Sequence, residues 1–157
     1  MRQIVTWLNS LLRLLGGVML ATLIIIIFAQ VIMRYCFHSA MAWPEEMAKF
    51  LFIGMAYAGG ALAMYHNQNL RVDALLTICS PRVVHVLNIL AFAVTTVYCA
   101  LASYFTFEMM LEVRDMEQMA ASMDIYIWPT WLPIPIGFAL MGIYALMHCL
   151  LALRGKE

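Results

Sequence analysis

The stretch LLGGVMLATLIIIIFAQVIM, residues 14–33, decides the fold. It carries no charge, and Thr22 and Gln30 are its only clearly polar side chains. The hydrocarbon core of a bilayer, about 30 Å thick, takes about 20 apolar residues in a helix. The run therefore reads as a membrane span. The small-x-small triplet Ala40-Met41-Ala42 has the look of a leader cleavage site. The apolar run, however, exceeds the roughly 7–15 residues usual in a leader, and Arg34 stands between run and triplet. The run is expected to remain as an uncleaved anchor.

Composition extends this reading to the whole chain. Of its 157 residues, 65% are hydrophobic and 11% charged, against about 25% charged in soluble domains. Three more apolar stretches follow, at about 47–65, 83–107 and 134–153. The third span, at roughly 37 Å of helix, must tilt or emerge from the lipid. His85, Asn88, Thr95, Thr96 and Ser103 lie along it and are expected to bond neighbouring helices. The expected fold is an all-α integral membrane protein. Four transmembrane helices form one domain over 1–157, with short interfacial helical segments between the spans.

Orientation follows the cations. Arg2, Arg13, Arg71, Arg82, Arg154 and Lys156 fall on one side if all four helices cross. The other side holds Arg34, Lys49 and Arg114, with Glu45, Glu46, Glu108, Glu112, Asp115, Glu117 and Asp124. Lys and Arg accumulate in cytoplasmic loops, so both termini are expected in the cytoplasm.

The connections carry the candidate contact residues. Pro44 suits the first helical position of the second helix, where its missing N–H costs nothing. Glu45 and Glu46 then complement the helix dipole, and Glu45 stands four residues before Lys49 in the favourable order. Trp43 falls at the cap position and suits the membrane interface. In the next connection Asp73 is a plausible cap for a short helix on the membrane surface. The segment from Glu108 to Trp128 reads as an acidic loop, with Ser122 and Asp124 as candidate contacts. Pro129, Pro133 and Pro135 are expected to keep the chain irregular to about Trp131. Trp128 and Trp131 would anchor that end at the interface. Small residues at four-residue spacing, Gly17 and Ala21 or Gly54, Ala58 and Ala61 among them, allow close helix approach.

Several classes find little support. The formal net charge is zero and says nothing about nucleic acid; with no basic cluster and no glycine-rich phosphate loop, none is expected. Cys36, Cys79, Cys99 and Cys149 show no C-x-x-C spacing and read as small apolar residues. His66 and His85 lack ligand spacing, so neither a metal nor a cofactor is expected. No acid falls at mid-span and no half is repeated, whereas a stand-alone transporter usually shows one or the other.

One pattern runs through these features. It comprises Arg34-Tyr35-x-Phe37, Trp43-x-Glu45-Glu46, Gly59-Gly60-Ala61, Arg71-Val72-Asp73, Pro81 and Leu132-Pro133-Ile134-Pro135-Ile136-Gly137-Phe138. It resembles the small, DctQ-like membrane subunit of tripartite ATP-independent periplasmic (TRAP) transporters, from about Gly17 to Leu153. One departure is Asn69, where members often carry histidine; His66 stands three residues earlier. The resemblance implies no enzyme. It implies a heterodimer with a large membrane subunit that holds substrate and sodium sites. A periplasmic substrate-binding protein would dock transiently and deliver an organic acid. The chain would brace the large subunit within the lipid of a bacterial inner membrane. Arg34, Trp43, Glu45, Glu46, Gly59, Gly60, Arg71 and Asp73 are the residues this resemblance marks as structural and contact positions. Two other classes compete. One is a haem or quinone membrane anchor, resting on His38, His66, His85 and His148. The other is a small homodimeric exporter, which normally needs an acid in its first span.

Overall fold

The computed structural model describes residues 2–39, 41–66 and 81–153. Its elements are α1 (Arg2–Cys36), α2 (Trp43–Tyr65), α3 (Pro81–Asp115), the short α4 (Trp128–Trp131) and α5 (Pro133–Leu153). Four helical stretches are long and apolar enough to cross a membrane. The described residues contain no strand, only an isolated antiparallel bridge between Met119 and Tyr126.

The helices run past the apolar stretches that predict them. α1 and α3 each have 35 residues, or about 52 Å of helix. Glu108 to Asp115, expected in a loop, continue α3. The physical reason is local: no proline or glycine interrupts the segment, and Met110 and Val113 bury one side of it. The tryptophan-proline segment also differs from expectation, since Trp128–Trp131 closes a helical turn before α5. At the start of α2 the cap is Ala42, with no side-chain cap bond, and Trp43 is already helical. His66 closes α2 by donating from its backbone N–H (3.1 Å) and from Nδ1 (2.9 Å) to the Leu62 carbonyl, a use of histidine suited to a helix C-terminus.

The long helices form a row rather than a closed bundle. α1 packs along α2, α2 along α5, and α5 along α3. A buried cluster of Ala61, Met64, Phe92, Tyr144, Ala145 and Cys149 joins α2, α3 and α5, with Leu12 of α1 against it. Tyr144, 2% exposed, donates its hydroxyl to Asn9 Oδ1 at 3.1 Å, which ties α1 to α5. His148 stacks on Phe92 at 5.4 Å and donates Nε2–H to the Tyr65 carbonyl at 3.2 Å.

The polar residues of α3 divide. Thr95 and Thr96 donate to the carbonyls four residues back in their own helix, at 2.8 and 2.7 Å. Within lipid, that carbonyl is the nearest partner for a hydroxyl. Among the described residues Ser103 alone of the five makes a bond to another helix, donating to the Pro135 carbonyl at 3.0 Å.

Candidate functional site

Of the candidate contact residues, Arg34, Trp43, Glu45 and Glu46 gather at one end of the row, where α1 ends, α2 begins and the α3–α5 connection folds over them; Gly59 and Gly60 lie towards the other end of α2. α1 stops at Cys36, and His38 takes a left-handed backbone (φ 51°). That turn lets the Ser39 N–H reach the Met33 carbonyl at 3.2 Å and sends the chain back towards α2. Reversal brings the last turns of α1 beside the first turn of α2. Gln30 Nε2 donates to Glu45 Oε1 at 3.2 Å. Gln30, Arg34, Met41, Ala42 and Glu45 line a cavity of about 180 Å³. Arg34 and Glu45 share this cavity, yet no ion pair within 4.0 Å joins them among the described residues. The same holds for Glu45 and Lys49, despite their favourable helical spacing.

Glu46 does different work from Glu45. Its Oε1 accepts the Ala121 N–H at 2.9 Å, and its Oε2 accepts the Ser122 N–H at 3.1 Å and the Ser122 hydroxyl. Three donors on one carboxylate make a set of charge-assisted bonds, the strong class in proteins. They pin a small hairpin in which Ala120 N–H meets the Ile125 carbonyl and Ile127 N–H meets that of Gln118, both at 2.9 Å. Ser122, expected as an outward contact, is therefore bound within the chain, while Asp124 stays exposed. The hairpin leads into Trp128, whose ring lies under the Arg114 guanidinium at 5.8 Å. Trp131 follows at the end of the same short helix.

The two adjacent glycines part company. A Cβ on Gly60 would meet Met141 Cε at 2.3 Å, so this glycine lets α5 approach α2. A Cβ on Gly59 would meet nothing within 4 Å. Nothing among the described residues needs Gly59 to be small. Arg71 and Asp73, with the surface helix expected around them, lie outside the described residues. Among the described residues no group of three His, Cys, Asp or Glu is placed to hold a metal ion.

Sequence reasoning overlooked three partners here: Gln30, the Ala121–Ser122 backbone and Arg114. Gln30 stood out as the lone amide in the last turns of an apolar helix. No spacing pattern links Glu46 to Ser122, which lie 76 residues apart.

Comparison with known proteins now adds to the geometry. The family model for the DctQ component of tripartite ATP-independent periplasmic transporters matches residues 23–155. The chain belongs to this family. A DctQ component is part of a transporter and not an enzyme. A putative TRAP transporter small permease protein of Haemophilus influenzae is 35% identical over 81 residues, covering 52% of this chain and 50% of the relative. The sialic acid TRAP transporter permease protein SiaT of Haemophilus influenzae is 30% identical over 77 residues, covering 49% of this chain and 12% of the relative. The ectoine TRAP transporter small permease protein TeaB of Halomonas elongata is 21% identical over 154 residues, covering 98% of this chain and 78% of the relative. The chain spans half the length of the first relative in its match, and a small fraction of the second.

Proposed function

We propose that this DctQ component braces a large membrane subunit, its partner in a heterodimer, during sodium-coupled uptake of an organic acid. A periplasmic binding protein would deliver that acid. The reading rests most on one observation. A SiaT permease protein carries a segment similar to this chain over only 12% of its length. A small unit that recurs inside a much longer permease is suited to work beside the rest of such a permease. The helices support a bracing role. Their middle turns hold no acid among the described residues, and a carrier generally needs polar groups at that depth.

The surroundings of each residue suggest how the labour is divided. Gly59, open and exposed, suits a helix of the partner. Glu46 and Gly60 have their contacts inside the chain, so their part is structural. Arg34, Trp43 and Glu45 set the level of the membrane boundary, aided by Trp128 and Trp131. Arg71 and Asp73 keep the contact role that the family resemblance gives them. The cation distribution supports both termini on the cytoplasmic side, and the family reading supports a bacterial inner membrane.

Co-purification tests the reading. Tagged full-length chain, expressed from its own locus, should recover a larger multi-span membrane protein in constant ratio. Reconstituted alone in vesicles, it should move no solute. Recovery of the chain by itself, or uptake by the chain by itself, would overturn the proposal.

A further inference from the structure

The cavity beside Arg34 holds a cation and an anion that do not neutralise each other. Arg34 and Glu45 line the same space of about 180 Å³. No ion pair within 4.0 Å joins them among the described residues. One carboxylate oxygen of Glu45 accepts from Gln30 Nε2, and the other has no hydrogen bond among the described residues. The volume equals the share of roughly six waters in the liquid, so the space is large enough for a small polar group.

The surroundings point to the source of that group. Tyr35 is 73% exposed, Phe37 67% and Trp43 42%. Aromatic side chains concentrated where an apolar helix ends mark the boundary between hydrocarbon and headgroups. Immediately below this level α1 offers exposed Ile24, Ile25, Phe28 and Val31, a surface for acyl chains. Two opposite charges that form no ion pair with each other, above such a surface, complement a group that itself carries both charges.

We propose that this cavity binds the headgroup of a zwitterionic phospholipid with a primary ammonium, the phosphoethanolamine class. The phosphate lies on Arg34, where a guanidinium can present two parallel N–H donors. The ammonium donates to the free oxygen of Glu45. A choline headgroup has no N–H to give Glu45, and a phosphatidylglycerol headgroup has no cation. The site asks only that the chain cross a bilayer and does not depend on the transport reading.

Native mass spectrometry of the full-length chain tests the assignment, with the protein released from nanodiscs of equal phosphatidylethanolamine, phosphatidylcholine and phosphatidylglycerol. Phosphatidylethanolamine should be retained about tenfold over either competitor, the ratio expected for one charge-assisted bond. Glu45→Gln should bring phosphatidylethanolamine and phosphatidylglycerol to equal retention while both still bind through Arg34. Arg34→Gln should lower retention of both. Glu112→Gln, a change outside the cavity, should leave the preference intact. An unfolded variant would lose all lipids at once, so it cannot imitate the Glu45→Gln result. Equal retention of the three lipids by the unaltered chain would overturn the proposal, as would an undiminished preference in Glu45→Gln. Soluble glycerophosphoethanolamine should not displace the lipid at matched concentration. If it does, the cavity is a site for a free phosphoester and the lipid assignment falls.

Discussion

The two ends of the helix row are held together by different physics. At one end Ala61, Met64, Phe92, Tyr144, Ala145 and Cys149 make a buried cluster, and Tyr144 and His148 add hydrogen bonds that cross between helices. At the other end Pro44, Met110 and Val113 are buried as well, and polar contacts cross between elements: Gln30 to Glu45, Glu46 to the 121–122 backbone, and Arg114 over Trp128. Packing fixes the first end over many atoms at once. The second end depends on a few directional bonds, each of which a single substitution can remove. The packed end therefore sets global stability, while the polar end sets the shape of a surface.

Substitutions that separate these two roles test the contrast. The largest effect is expected from Tyr144→Ala in the packed cluster. It deletes a buried ring and the bond to Asn9, at a cost of about 3 kcal/mol or more. A thermal melt of the purified chain in detergent should register it, and an unchanged melting temperature would refute the contrast. Gly137→Ala comes next. The added Cβ would sit 2.6 Å from Tyr57 Cβ, which stands on the stem of a side chain and cannot swing away. Overpacking of this kind costs about 1–3 kcal/mol. Gly60→Ala should cost less, since it meets the flexible tip of Met141.

At the polar end, Glu46→Gln should act locally. The loss of charge-assisted bonds should speed amide hydrogen exchange across Ala120–Ile127, with little change in the melting temperature. A large fall in melting temperature would show that the hairpin belongs to the global fold after all. The smallest effect is expected from Gly59→Ala: essentially no change in the isolated chain, because its Cβ meets nothing. Gly59→Leu should likewise spare the isolated chain and reduce recovery of the large subunit. Loss of stability in the chain alone would show that Gly59 packs internally.

Some of this was legible residue by residue. The apolar runs announced the four spanning helices, because exclusion of polar groups from hydrocarbon is a property of composition. Pro44, Glu45 and Glu46 announced the start of α2. The extension of α3 to Asp115 was hidden because charged residues in a helix outside lipid look like residues of a loop. The pairing of Glu46 with Ser122 was hidden because it depends on where a distant hairpin lands. The separation of Gly59 from Gly60 was hidden as well: adjacent residues on a helix face about 100° apart, and only the position of α5 decides which of them is covered.

The sequence by itself determined that this chain spans a membrane four times and belongs with the DctQ components, since hydrophobic run length and ordered motifs are local quantities. Only the tertiary structure decided that the helices lie in a row, that Glu46 is spent inside the chain, and that Arg34 and Glu45 face one cavity without pairing. Those facts depend on distances between segments far apart in the chain, and such distances are set by how the helices pack rather than by any residue alone.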